Sequence, residues 1–189
     1  MKRLYVDTET TGFPQREGTP LEECPHIVQL AALLVDDETG EMGSLNVLIR
    51  PDAWTIAEDV AAIHGITTER ADACGIPIKV AMAVFSQLCR NAEEIVAHNI
   101  EFDLKLVAYE LARLEAPNVA ADLPKCCTMH ATTELCQLPG KFPGKPKWPK
   151  LIEAHRHFFE SEFDKAHDAL ADVRACQRIH HHLLENNLI

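Results

Sequence analysis

Lys2-Arg3-Leu4-Tyr5-Val6-Asp7-Thr8-Glu9-Thr10-Thr11-Gly12 opens as a short β-prone run and passes directly into two acids spaced two apart. A strand repeats every two residues, so Asp7 and Glu9 project from the same face. No basic residue lies between them, and adjacent carboxylates repel unless a divalent cation sits there. The spacing alone is ambiguous. Asp36-x-Glu38 repeats it inside Asp36-Asp37-Glu38-Thr39-Gly40, a turn composition in which both acids are expected to be solvated.

Outward from that strand, Ile27 to Val35 is apolar and of strand length, and Leu45 to Ile49 reads as a third strand stopped by Pro51. Three strands therefore precede any long helix, the first pairs as antiparallel hairpins. Val80 to Cys89 carries Val80, Val84, Phe85 and Leu88 at helical spacing. Ile95-Val96-Ala97 reads as a short buried strand, followed by an amphipathic helix with Leu104, Val107, Leu111 and Leu114. Gln137 to Lys150, rich in Pro, Gly and Lys, reads as a loop. Pro149 suits the first turn of a helix running to about Phe159. The last helix is expected from about Asp168 to the end. Strands first, then strand and helix alternating, predict an α/β domain on a mixed sheet. No repeat or linker divides it, so one domain over residues 1–189 is expected.

With 47% hydrophobic and 25% charged residues, the chain is not disordered or fibrous. Its 18 basic and 29 acidic residues leave a net charge of −11, which excludes a broad basic face for clamping duplex DNA. A nucleic-acid enzyme of this charge must bring cations with it. The longest apolar stretch is too short to span a bilayer, so no membrane partner is expected. No signal-peptide core follows Met1, and none of the seven cysteines forms a C-x-x-C pair. Reduced thiols and a cytoplasmic location are the expectation.

Two further acid clusters stand out. Asn99-x-x-Phe102-Asp103 follows a buried strand and opens a helix, placing Asp103 in the first turn, where the helix dipole stabilises an anion. An ordinary helix-start Asp would look the same. In His167-Asp168-Ala169-Leu170-Ala171-Asp172, Asp168 suits an N-cap. Asp172 then falls one turn in, with no local structural task, and His167 lies just outside the helix.

Together, D-x-E-T-T-G, N-x-x-F-D and H-x-x-x-x-D resemble the three motifs of the DEDDh family of 3′–5′ exonucleases. That family includes the proofreading epsilon subunit of bacterial polymerase III and several single-strand DNases and RNases. The resemblance runs from Tyr5 to Cys176, and Ala62-Ile63-His64-Gly65-Ile66-Thr67 is similar to the family's substrate-side segment. It implies a ribonuclease H-like fold: a central mixed sheet of about five strands, the front ones antiparallel, flanked by α-helices. It implies that Asp7, Glu9, Asp103 and Asp172 bind metal and that His167 is the general base. Oxygen-only ligands suit hard ions, Mg²⁺ or Mn²⁺, rather than zinc, and the resemblance implies two of them. By the same resemblance Thr10, Thr11, Gly12 and His64 contact the terminal nucleotide, with Asn99 and Phe102 behind them.

The implied activity is hydrolysis at the 3′ end of single-stranded DNA or RNA, DNA favoured, releasing nucleoside 5′-monophosphates. Two rivals are a proofreading subunit bound to a polymerase and a catalytically inactive relative serving as a nucleic-acid-binding module. Only Val173 to Ile189 follows the last motif, which favours a free-standing enzyme, and all four acids are present, which favours activity. Oligomeric state is not legible. His98 reads as a packed histidine beside the strand end. Cys126, Cys127, His130 and Cys136 match no familiar structural-zinc spacing. His180-His181-His182 point about 100° apart on a helix and cannot converge on one ion, so they read as a half-exposed helix face. Lys141, Lys145, Lys147 and Lys150, with Trp148, form a positive island that is either a solvated loop or a hold for the substrate strand.

Overall fold

The computed structural model describes residues 1–163 and 167–189. Its strands are β1 (Lys2–Thr10), β2 (Ile27–Asp36), β3 (Gly40–Leu48), β4 (Glu94–Ala97) and β5 (Lys125–Cys127). Helices α1 (Glu58–His64), α2 (Thr68–Cys74) and α3 (Ile78–Asn91) lie between β3 and β4. Helix α4 (Ile100–Arg113) joins β4 to β5, and α5 (Thr128–Cys136), α6 (Leu151–Phe159) and α7 (Ala169–Glu185) follow.

The strands form one sheet in the order β3-β2-β1-β4-β5. β2 runs antiparallel to both β1 and β3, while β4 runs parallel to β1 and β5 parallel to β4. This is the ribonuclease H-like mixed sheet that the motifs imply. β1 is central because both its faces are apolar. Leu4 and Val6 pack with Phe85 of α3 and Leu106 and Val107 of α4, whereas Tyr5 packs with Val173 and Cys176 of α7. Each fully buried aliphatic side chain contributes about 1.5–3 kcal/mol. The alternation Leu4, Tyr5, Val6 thus fixes which layer every later β1 side chain meets.

Several boundaries differ from the sequence reading. α1 and α2 were not expected; each has seven residues, too few to show a helical period, and α1 has no buried residue. β3 begins at Gly40, five residues before Leu45, because the Asp36–Gly40 turn is tight enough for pairing to start at once. Pro149 precedes α6 rather than entering its first turn; the helix starts at Leu151, where the Glu153 carboxylate accepts a hydrogen bond from Lys150 N at 2.8 Å. α7 ends at Glu185, short of the chain end, and Asp168 caps it as expected by accepting from Ala171 N at 3.3 Å. The three histidines of α7 do diverge, but not onto one exposed face. His180 is buried with Nδ1 3.0 Å from the Tyr5 hydroxyl, His181 lies exposed beside Glu185, and His182 packs on Phe158 and Phe159.

Candidate active site

Period two puts Asp7 and Glu9 on the face of Tyr5, toward α7, and α7 supplies Asp172 one turn in from its cap. Beside Glu9 the register with β2 shifts: Glu9 pairs with Gln29 but Thr10 with Ile27, so Val28 is an extra residue on β2. Such a bulge twists the pair locally and re-aims the side chains next to it. Asp103 arrives from the opposite layer. β4 pairs only with Arg3–Tyr5, so the β1 edge beyond Tyr5 is free of that ladder. There Thr8 donates to Asp103 Oδ1 twice, from its backbone N at 2.9 Å and its hydroxyl at 2.8 Å. The free strand edge is what lets a helix-borne carboxylate meet strand-borne ones.

The acids line a cavity of about 290 Å³ with His167 at its edge. All four carboxyls are held above the ordinary carboxylate range. Burial raises Asp7 most, reinforced by the charges of Asp103, Asp172 and Glu9. Burial with Asp172 and Asp103 nearby pushes Glu9 up to about 8. Asp103 rises to about 7, burial outweighing the opposing hydrogen bonds from Thr8. Asp172 rises to about 6, again through burial, against the opposing backbone bond and charge of His167. Without a cation, the cluster holds protons that four separated acids would release.

His167 is exposed, with φ 69°, and its backbone N donates to Asp172 Oδ2 at 3.2 Å. Asp172 therefore has a local bond that the sequence did not suggest. Its other oxygen, Oδ1, is buried with no hydrogen-bond partner. One ligand atom each from Glu9, His167 and Asp172 lies within 4.8 Å of the others. Among the described residues, no other group of three His, Cys, Asp or Glu lies so close together; Asp7 and Asp103 line the same cavity but fall outside this group. It adds a nitrogen to the oxygen-only set read from the sequence. The set fits a divalent cation: Asp172 Oδ1 is buried without a hydrogen-bond partner, and burial with mutual repulsion holds the neighbouring carboxyls above their ordinary range, a cost that a cation would offset. Cys126, Cys127, His130 and Cys136 do not converge in this way; His130 instead packs on Trp148.

Thr10, Gly12, His64 and Phe102 also line the cavity. The Thr10 hydroxyl donates to Gly12 O at 2.8 Å, holding the turn after β1. His64 Nδ1 accepts from Ile66 N, and burial lowers its pKa against the opposing influence of the Thr10 backbone. Phe102 meets Phe13 edge to face at 6.2 Å. Thr11 and Asn99 are not brought to the cavity. Thr11 is bonded to His26 through both its N and Oγ1, and Asn99 is an exposed helix cap with φ 73°.

Thr8, Phe13 and His98 belong to the lining and were not singled out for the site. Thr8 could have been found as the donor-bearing residue between two acids. Phe13, 80% exposed, follows a glycine turn and gives no periodic signal. His98 is packed as read: Nε2–H donates to Pro149 O at 2.9 Å and Nδ1 lies 3.0 Å from the Thr128 hydroxyl. Burial lowers its pKa to about 4, so the ring is neutral.

A family model described as Exonuclease (RNase_T) matches residues 4–179. An uncharacterized exonuclease, CP81, of Escherichia phage 186 is 33% identical over 177 residues, covering 91% of this chain and 82% of the phage protein. The DNA polymerase III epsilon subunit of Escherichia coli K12 is 27% identical over 180 residues, covering 95% of this chain and 70% of that subunit. Among solved structures, the zinc-bound form of E. coli exonuclease I with single-stranded DNA superposes with a TM-score of 0.74 at 21% identity. That match covers 98% of this chain but only 40% of exonuclease I, and it shows the shared fold. The sheet, the motif order and a match running across nearly all of its length agree: the chain belongs to the exonuclease family.

Proposed function

We propose that the chain is a metal-dependent 3′–5′ exonuclease that removes nucleoside 5′-monophosphates from single-stranded nucleic acid, DNA favoured. The observation that carries this reading is the meeting of four desolvated acids from β1, α4 and α7 in one cavity, with an orphaned Asp172 oxygen and a histidine at the rim. Such a cluster opposes folding while empty and ionised, and so implies a cationic occupant. Asp7, Glu9, Asp103 and Asp172 would hold two divalent cations, Mg²⁺ or Mn²⁺. Bound there, the cations would supply charge for the scissile phosphate and acidify a water.

The chain's own residues do the rest. Thr8 orients Asp103 through two hydrogen bonds, and the Asp172 carboxylate fixes the His167 backbone. The His167 ring, exposed at the rim, takes the proton of the attacking water. His64, Phe102 and Phe13 line the cavity, which supports a reading in which the His64 ring bonds the terminal nucleotide and the two phenyl rings stack on its base. The names of the relatives support the substrate class: exonuclease I is solved with single-stranded DNA and a zinc ion. A polymerase-bound proofreading subunit is the second reading, favoured by the similarity to epsilon subunits.

The deciding experiment incubates the protein with Mg²⁺ or Mn²⁺ and matched single-stranded DNA and RNA, each labelled at one end. Stepwise release of mononucleotides from the 3′ end is expected. Loss of a 5′ label first, or activity persisting in excess chelator, would overturn the assignment.

A further inference from the structure

Gln137–Lys150 is a built hairpin. Lys147 N donates to Leu138 O at 2.9 Å, and Pro139 and Pro146 face each other as an antiparallel bridge. Lys145 N donates to Phe142 O at 3.2 Å across Gly144, whose φ of 74° closes the tip. A Cβ at Gly140 would collide with the Lys145 carbonyl oxygen, so the two arms touch backbone to backbone. The root of the hairpin is fastened to the acid cavity. Buried Pro149 accepts the hydrogen bond from His98, and His98 itself lines the cavity.

Charge in this hairpin runs against the rest of the molecule. Between Glu134 and Glu153 there are four lysines and no acid, in a chain of net charge −11. Glu153 neutralises Lys147 at 2.6 Å. Lys141 and Lys145 are exposed and make no ion pair among the described residues. Interleaved with these cations are two exposed rings, Phe142 at 70% and Trp148 at 65%. Phe142, exposed between the unpaired Lys141 and Lys145, and Trp148, largely exposed although it meets His130, match one ligand chemistry well: phosphates for the cations, unstacked bases for the rings. A duplex keeps its bases stacked and offers the rings nothing.

We propose that this hairpin holds the single strand that leads 5′-ward out of the cavity, Lys141 and Lys145 meeting phosphates and Phe142 and Trp148 meeting bases. The proposal rests on the exonuclease reading of the cavity. It also extends that reading to a preference for strands long enough to reach the hairpin.

The test compares the wild type with K141S/K145S. Binding of a labelled oligothymidylate, its 3′ end blocked by phosphorothioates, is followed by fluorescence anisotropy over a salt series. Hydrolysis of a thymidine dinucleotide is measured alongside, and circular dichroism checks the fold. Each lost phosphate contact reduces the log–log salt slope by ~0.7, so the double variant should lose ~1.4 in slope and about 25-fold in affinity near 0.1 M salt. Dinucleotide hydrolysis should not change. G140A keeps every lysine but breaks the hairpin, and should also weaken the long strand alone. Wild-type affinity and slope in K141S/K145S would overturn the proposal and leave the segment a solvated loop. Equal loss on the dinucleotide would overturn it too, since the effect would then lie in the cavity. If the wild type binds the long strand with the slope difference intact but hydrolyses nothing, the exonuclease reading fails and the hairpin stands.

Discussion

Asp7-Thr8-Glu9 and Asp36-Asp37-Glu38 carry the same spacing of acids and behave in opposite ways. In the turn, the Asp36 carboxyl accepts bonds from Glu38 N, Thr39 N and the Thr39 hydroxyl, and these hold its pKa below the usual range. On β1, Asp7 and Glu9 are desolvated among other acids, and burial drives both up. A strand spends its backbone donors on its neighbours, whereas a turn has donors to spare for the side chain that opens it. The motif is therefore defined less by two acids than by the lack of anything local to satisfy them.

Four experiments would break or sharpen this contrast. The largest effect is expected from Asp7→Asn or Asp172→Asn, either of which should reduce 3′-end release to background while the fold persists; Asp36→Asn should leave the rate unchanged. Substantial turnover in either cavity variant would remove that residue from the metal site. Next, His167→Ala should slow the reaction by roughly 10²–10⁴-fold, the usual worth of a general base. Divalent cation affinity, read by calorimetry, should fall far less, and a loss of affinity as large as the loss of rate would make His167 a ligand instead.

The third is a pH test with a definite sign. Folded-state pKa values raised to about 6, 7 and 8 for Asp172, Asp103 and Glu9 favour folding below the ordinary carboxylate range. That contribution is lost as pH rises through those values. A cation replaces the protons, so saturating Mn²⁺ should raise Tm more at pH 8 than at pH 5. About 2.7 kcal/mol at a hundredfold excess over Kd corresponds to roughly 5–10 °C for a chain of this size. Equal shifts at both pH values would show that the acids do not titrate as a cluster. Asp36 should show the reverse sign, its lowered pKa adding stability above the ordinary range and losing it in acid. The smallest effect follows from this: Asp36→Ala should lower Tm slightly near neutrality and not at all in strong acid. A thermal melt at two pH values measures it.

Much of this was legible because α3 and α4 carry helical period, β2 and β4 are short, mainly apolar runs, and Asp168 is an N-cap by chemistry. Less was legible where a partner decides the outcome. Nothing near Thr8 announces that β4 stops pairing at Tyr5 and frees that edge for Asp103. His180 and His181 are neighbours of one type, yet one is buried against Tyr5 and the other faces water. Thr11 and Asn99 sit inside motifs that resemble the family's, yet Thr11 is bonded to His26 and Asn99 stands exposed at the N-cap position of α4 with no capping bond from its side chain. Motif membership indicates neighbourhood, and backbone geometry then distributes the roles.

The docking of α7 against β1 and β2 has a consequence in the order of synthesis. A ribosome delivers Asp7, Glu9 and Asp103 well before Asp172, and domains generally assemble as units once their elements are available. An emerging chain therefore carries three acids of the cavity without the wall that completes it. α7 both covers one face of β1 and β2 and carries the fourth carboxylate of the cavity. On the proposed reading, a copy cut short before α7 would lack one metal ligand and the wall behind the other acids, and so would make no competent site.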